Sequence, residues 1–401
     1  MEKDDDSSKW AVAFTFQAVT RYNPDRMKAH AAQAMPLAFL AMHEVKTESN
    51  EEILEVWDEV WTEGTPGTES GIRLYLKEIV ALLSVTLESP QWKIKAQTAS
   101  AMGTIGSKLK SDIPAKEQGQ LIVQLLEGLS GRTWSGKEKI LIALQDLVTS
   151  HPDNVTKLFG DPDHALTEEI FMKSLLRECG KERLEYKIQA LEATSKILRA
   201  LDLDYFQALY DMLKTFIAKK DNDDKEDGDD SSDKETISLD LQLSVVQAFG
   251  QSWPESPESQ QASVVELFDT LDTMMQNTTR KLQLAIVVTT GQVMDSYNLN
   301  QSTDQHVFGK VSNILAFALS MPKNSQLRSE ALKVLDQTLD VLDKVVSREL
   351  IEIFHEQMMK SIEDVIKDLA TDASLKDKAR NVKKRMIGQQ HPIDNEQMEC
   401  D

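Results

Sequence analysis

The sequence predicts an all-α chain assembled from stacked antiparallel helix pairs. Three observations lead there: a short motif that returns eight times at near-regular spacing, an apolar complement of small and aliphatic side chains, and the lack of strictly alternating Val/Ile/Thr runs. The motif reads basic residue, two residues, two small apolar residues, one residue, then a small–large apolar pair. Its clearest copy is Ile94-Lys95-x-x-Thr98-Ala99-x-Ala101-Met102-Gly103-x-Ile105, and a second is Leu327-Arg328-x-x-Ala331-Leu332-x-Val334-Leu335. Others lie at Met27-Lys28-x-x-Ala31-Ala32-x-Ala34-Met35 and Tyr186-Lys187-x-x-Ala190-Leu191-x-Ala193-Thr194, with weaker copies centred on Lys137, Gln242, Lys281 and Lys376. Measured from the basic position, the spacings are 67, 42, 50, 55, 39, 47 and 48 residues. Most fall near the roughly 40–47 residues of a two-helix repeat of the HEAT or armadillo type. The fold class is therefore a HEAT/armadillo-like α-solenoid of about eight helix pairs, running from 1 to 388 as one array.

Small residues belong in such a motif because they let the second helix of a pair come close to the first and to the neighbouring repeat. The basic residue is expected to cap carbonyls or to pair with an acidic side chain of the adjoining repeat. Both long spacings contain inserts: Trp61-Thr-Glu-Gly-Thr-Pro-Gly67 with room for a further helix, and an acidic run.

Taken in order, Trp10, Phe14 and Phe16 mark a first helix and Met27–Met42 a second, with Asn23-Pro24 between them. Glu51–Trp61 is helical until Gly64-Thr-Pro-Gly67 stops it. Ile72, Leu76, Ile79, Leu83 and Leu87 share one face of a long helix, which Ser89-Pro90 ends before the strong repeat at Trp92–Leu109. Ser111-Asp-Ile-Pro114 turns the chain into a helix over Gln118–Leu129, and Gly131-Arg-Thr-Trp134 leads to another over Lys137–Val148. His151-Pro152 opens a loop containing Gly160-Asp-Pro162. Leu166–Arg177 and Leu184–Leu201 pair next, with Gly180 as C-cap, and Tyr205–Ala218 follows. The stretch 219–236 carries no apolar residue, so it has nothing to bury against its ordering entropy and reads as a disordered insert inside one repeat. Leu239–Phe249 completes that repeat. Val264–Met275 with Arg280–Val293, Val307–Leu319 with Gln326–Leu342, and Leu350–Ala370 with Leu375–Ile387 complete the array before a flexible tail, 389–401.

The net charge of −21 argues against nucleic acid as a partner, because phosphate binding needs a basic face. Residues 221–235 account for −7 of it, and the rest keeps the body acidic. Two cysteines, Cys179 and Cys400, give no disulfide framework and suit a reducing compartment. The polar, acidic opening Met1–Ser8 fits neither a secretory signal nor a mitochondrial presequence. No apolar stretch approaches the ~18 residues of a membrane span. The expectation is a soluble cytoplasmic and nuclear protein without membrane insertion.

Chemistry is hard to find. The seven histidines, His30, His43, His151, His164, His306, His355 and His391, show no metal-ligand spacing. Phosphate loops, dinucleotide fingerprints and nucleophile elbows are missing. No enzyme, cofactor, metal or small-molecule substrate is expected.

Two segments interrupt the repeats and supply the candidate protein-contact residues. In Pro66–Leu76, Arg73 and Tyr75 follow Trp57 and Trp61, which are four apart and share a helix face. In Gly131–Glu138, Arg132 and Trp134 lie in a turn bounded by two glycines and Lys137 follows it, with Thr133 or Ser135 as N-cap of the next helix. Each is readable as inter-helix packing or as the aromatic and arginine patch that dominates interfaces. The last helix adds Lys376, Lys378, Arg380, Lys383, Lys384 and Arg385, a basic cluster in an acidic chain, readable as a solvated face, an import signal or a dock for an acidic surface.

The string Trp57-x-x-x-Trp61-x-x-x-x-Pro66-Gly67-x-x-x-Gly71-Ile-Arg-Leu-Tyr-Leu-Lys-Glu-Ile79 resembles the C-terminal part of the proteasome adaptor and scaffold protein family. Ser89-x-x-Trp92-Lys-x-Lys-Ala-Gln97 and Gly131-Arg-Thr-Trp-x-Gly-Lys-Glu138 are similar to the same family in the same order. The resemblance implies a very large HEAT-repeat protein that binds proteasome subunits, tethers the core particle to the regulatory particle and takes part in proteasome quality control. Members are several times longer, so this chain corresponds to the C-terminal end. The repeats alone also fit a scaffold of nuclear transport or of a phosphatase complex.

Overall fold

The computed structural model describes residues 2–160, 166–217, 238–345 and 347–390. The acidic insert expected at 219–236, and residues 391–401 of the expected tail, lie outside them. Twenty α-helices and one short 3₁₀ turn account for the regular structure, and no strand occurs among the described residues. None of those helices is long and apolar enough to cross a membrane. Helix packing groups the chain into two compact units, Met1–Leu201 and Asp202–Asp401.

The first unit opens with α1 (Glu2–Tyr22), α2 (Pro24–Ala29) and α3 (Ala31–Ala41). Asn23 caps α2, its side-chain oxygen accepting from the Arg26 N–H at 3.3 Å. The expected helix over Met27–Met42 is interrupted at His30, where φ is −116° and ψ 12°. Next come α4 (Glu51–Gly64), α5 (Thr68–Leu74) and α6 (Leu76–Leu87). The single helix expected from Ile72 to Leu87 is likewise two, broken at Tyr75 (φ −114°, ψ 21°). The cause is tertiary: α5 is pressed on Trp61 and Thr65 through Gly71, whereas α6 follows the stack of α3 and the next repeat.

That repeat is α7 (Trp92–Leu109), a 3₁₀ turn at Lys110–Asp112, α8 (Ala115–Gly128) and α9 (Glu138–Ser150). A short α10 (Pro152–Leu158) replaces the loop expected after His151, with Pro152 at the first helical position, where its missing N–H and fixed φ are tolerated. The unit ends with α11 (Glu168–Cys179) and α12 (Leu184–Leu201). Thr167 caps α11 by accepting from the Ile170 N–H at 3.2 Å. Gly180 is the C-cap, but at φ −81° it uses no left-handed conformation.

The second unit repeats the arrangement: α13 (Phe206–Ile217), α14 (Leu239–Gln251), α15 (Pro257–Gln276), α16 (Arg280–Asp295), α17 (Asp304–Ser320), α18 (Ser325–Leu342), α19 (Arg348–Lys367) and α20 (Ala373–Gln390). Within it, α13, α15, α17 and α19 form one layer, and α14, α16, α18 and α20 the other. In the first unit α7, α9 and α12 form a comparable layer. Its close approach explains the small residues of the motif. A Cβ on Gly106 of α7 would lie 2.9 Å from the carbonyl carbon and oxygen of Asp146 and from Cα of Leu147 in α9. One on Gly291 of α16 would lie 2.8 Å from Cγ2 of Val334 in α18. Only a hydrogen fits at these crossings.

Buried glutamines fasten the ends of the pairs. Gln118 of α8 donates to the Leu147 carbonyl at 2.7 Å, and Gln260 of α15 donates to the Pro254 and Ser296 carbonyls, both at 2.8 Å. Each satisfies main-chain acceptors near the end of the second helix, which have no partner inside it.

The basic motif position performs both expected tasks at Arg328. Its Nε donates to the Leu319 carbonyl at 2.9 Å, and Nη1 reaches Asp368 at 2.7 Å and Thr371 at 2.8 Å, one repeat further on. Three donors (the Arg328 guanidinium first, then the Ala370 N–H and the Thr371 hydroxyl) hold the Asp368 carboxyl down at about 2. The basic cluster of α20 is partly absorbed in the same way: Arg385 spans Asp336 and Asp340 of α18 and Asp343 at its C-cap, and Lys383 reaches Glu363 of α19 at 2.7 Å.

Candidate protein-contact surface

The two interrupting segments flank α7 but do not form one site. Arg73 ends α5 and bridges Glu69, at 2.8 Å, to Asp112, just past the C-terminus of α7. The 131–136 turn is laid on the other end: a Cβ on Gly136 would lie 2.9 Å from Cβ of Ala96. From Ala96 to the end of α7 at Leu109, at about 1.5 Å of rise per residue, the two patches are separated by about 20 Å along that helix.

At the first patch Arg73 is exposed, Tyr75 half-buried, and Leu74 between them 60% exposed. Trp57 and Trp61 are not part of its surface: they are 8% and 0% exposed. Trp57 packs on Phe16 with ring centroids 5.3 Å apart, and Trp61 on Phe39 at 5.2 Å. A Cβ on Gly71 would fall 2.7 Å from Cζ2 of Trp61. The spacing of Trp61 and Gly71 is thus a packing relation, a ring filling the room that a glycine leaves, and the surface it supports begins at Arg73.

The second patch contains Arg132, exposed, and Trp134, half-buried. Arg132 has no hydrogen bond or ion pair among the described residues. Its turn is fixed by Gly131 and Gly136, at φ 85° and 104°, in the left-handed region that glycine enters without strain. Neither Thr133 nor Ser135 caps α9; instead the Glu138 carboxylate accepts the Gly136 N–H at 3.1 Å.

Lys137 is a correction. It is fully buried, its ammonium 2.8 Å from Oε2 of Glu178 and 5.6 Å from the centroid of the Tyr186 ring. The Tyr186 hydroxyl donates to the same carboxylate oxygen at 2.7 Å, and Arg177 Nε to the other at 3.1 Å. Burial alone would raise the Glu178 pKa, but the donors Lys137, Tyr186 and Arg177 keep it below the usual carboxylate value. Lys137 therefore clamps the α8–α9 turn to the end of α11, and it has no face for a partner. Beside the clamp, burial pushes the Cys179 thiol up to about 12, which leaves it unreactive as a thiolate.

Trp92 is the residue that reading the sequence for sites passed over. It opens α7 and is 45% exposed. Its signal was available, since a helix needs no indole at its first position.

Layered helix pairs fastened by close crossings define a helical-repeat protein of the armadillo-like type. Among the described residues, no group of His, Cys, Asp and Glu is placed to hold a metal ion. The chain belongs to the ECM29 family: the model of its C-terminal ARM-like repeats matches residues 163–386. The chain is 33% identical over 358 residues to the Proteasome adapter and scaffold protein ECM29 of Homo sapiens, covering 86% of this chain and 19% of that protein. It is 29% identical over 290 residues to the Proteasome-associated protein ECM29 homolog of Drosophila melanogaster, covering 69% and 15%. Against the Proteasome component ECM29 of Saccharomyces cerevisiae it is 25% identical over 173 residues, 42% and 9%. The chain thus spans about a fifth or less of the length of these relatives. The crystal structure of an engineered protein superposes with a TM-score of 0.53 at 13% identity, over 95% of this chain and 91% of that one, a likeness of fold.

Proposed function

We propose that this chain is a non-enzymatic scaffold segment that binds proteasome subunits and helps hold the core and regulatory particles together. The observation that carries this reading is membership of a family whose relatives are named proteasome adapters, components and scaffolds. The geometry is in keeping with it. Lys137, Glu178, Arg328 and Asp368 serve as links between helices, and the helix pairs leave separate outward patches at Arg73 and Arg132. Proteasome subunits are the partners on this reading; nucleic acid, membrane insertion and a small-molecule substrate have no part in it. Its place is the cytoplasm and nucleus, where proteasomes work.

A tagged copy expressed in cells tests the reading. Proteasome core and regulatory subunits should co-purify with it, and Arg73→Glu or Arg132→Glu should weaken recovery while the helical signal of the purified variants stays unchanged. Recovery of no proteasome subunit by this chain or by a longer family member containing it would refute the proposal.

A further inference from the structure

We propose that the first turn of α7 and the 131–136 turn form a docking site for an acidic, extended peptide segment of a partner protein. The site begins at Trp92, 45% exposed, with the Lys93 ammonium 5.7 Å from its ring centroid. Ala96 lies four residues on, on the same face of α7, and it is there that the 131–136 turn makes contact. A Cβ on Gly136 would meet Cβ of Ala96 at 2.9 Å and Cζ3 of Trp134 at 3.3 Å. The turn that carries Trp134 therefore covers Ala96, 1% exposed, one helical turn beyond the exposed Trp92. Trp57, Trp61 and Trp253, by contrast, are all buried.

Packing does not account for this surface. Arg132 is exposed and makes no hydrogen bond or ion pair among the described residues. The turn that presents it is nonetheless anchored on several sides. Lys181 donates to the Gly131 carbonyl at 3.3 Å, Arg177 to the Leu129 carbonyl at 3.5 Å, and Glu138 holds the Gly136 N–H. Beneath it the buried Lys137–Glu178 pair fixes the residue that follows the turn. A turn already rigid loses little entropy when a partner settles on it.

The chemistry of the occupant follows from charge. Lys93 lies against the Trp92 indole, and Arg132 and Lys181 stand at the Gly131 end of the turn that carries Trp134, in a chain whose net charge is −21. An acidic segment is attracted to these cations and repelled by the acidic excess of the chain as a whole, which gives register as well as affinity. The indole faces accept an aromatic or aliphatic side chain between the carboxylates. An extended peptide suits a strip made of one helix turn and one loop. The inference relies on the scaffold reading only for the existence of a partner.

Fluorescence anisotropy on the full chain tests it, with a short fluorescein-labelled peptide of Asp and Glu residues around a central Phe. A peptide with Lys at every acidic position is the counterpart. The acidic peptide should bind and the basic one should not. The double substitution Arg132→Glu with Lys93→Glu should weaken binding by about tenfold, the loss of two surface charge contacts, and Trp92→Ala should weaken it several-fold. Lys384→Glu, an exposed cation of α20, should leave it unchanged. Equal effects of Lys384→Glu and the double substitution, or no effect of either, would overturn the assignment. If acidic-peptide binding follows the prediction while proteasome recovery fails, the scaffold reading falls and the docking site stands; the reverse result removes the docking site alone.

Discussion

Substituting Gly106 by Ala isolates the close crossing of α7 and α9. The added Cβ would stand 2.9 Å from three main-chain atoms of Asp146 and Leu147, where ordinary carbon contacts lie at about 3.5–4.0 Å. Main-chain atoms cannot rotate aside, so the two helices must separate by several tenths of an ångström or more. Overpacking of this kind costs about 1–3 kcal/mol, against the ~1 kcal/mol that Ala gains over Gly in a helix. The matched control is Gly309→Ala in α17, where a Cβ would meet nothing within 4 Å. It receives the same propensity gain without the clash and should stabilise by about 0.5–1 kcal/mol. The two variants should therefore differ by about 1–3 kcal/mol, Gly106→Ala the weaker. Urea unfolding of the full chain, followed by far-UV circular dichroism, measures the difference. Equal shifts for the two variants, or a stabilised Gly106→Ala, would refute the proximity of α7 and α9 and with it the account of the small residues in the motif.

Three further outcomes are expected. Ala99→Asp buries an unpaired carboxylate at a fully buried position and should destabilise by several kcal/mol; an unchanged thermal midpoint would show the repeat register to be wrong. Lys137→Ala leaves the Glu178 charge buried without its ammonium and should cost about 3 kcal/mol, whereas Lys137→Met combined with Glu178→Leu should cost much less. Denaturant midpoints decide this, and a double variant as unstable as the single one would count against the clamp. Asp368 has its carboxyl held at about 2, below its ordinary 3.8. The stability it supplies is therefore complete above the ordinary value and is lost as pH falls toward 2. Wild type should exceed Asp368→Asn by a constant margin near neutral pH, with the margin closing across that acid window; a margin independent of pH would contradict the Arg328–Asp368 link.

Much of the fold was legible because helix pairing leaves a local trace. The inward face of a second helix must be small at the crossings and large between them, so Ala99, Gly103 and Ala331 announce their positions at helical spacing. The helix breaks at His30 and Tyr75 left no such trace. Each sits inside a run with good apolar periodicity, and what divides the run is the neighbour on which each half packs. Pro152 misled for a related reason: it stops a helix from the N-terminal side, yet it is well placed to start one.

The candidate surface was half legible. Arg73, Tyr75, Arg132 and Trp134 stand outside the repeat pattern, and the structure leaves Arg73 and Arg132 exposed and the two aromatic residues half-buried. Trp57, Trp61 and Lys137 look the same as these in sequence, since an aromatic or basic residue beside a glycine serves equally as an anchor or as a contact. Their burial depends on residues far away in the chain: Phe16 and Phe39 for the tryptophans, and Glu178 and Tyr186 for the lysine.

The sequence by itself determined the all-helical repeat class and the identity of the segments that depart from it, because both are written in short-range spacing and composition. The tertiary structure alone decided which of those departing side chains face solvent. Exposure is settled by what packs against a residue from repeats some 40 positions away, as Lys137 and Glu178 show at a separation of 41, and nothing within one repeat encodes that.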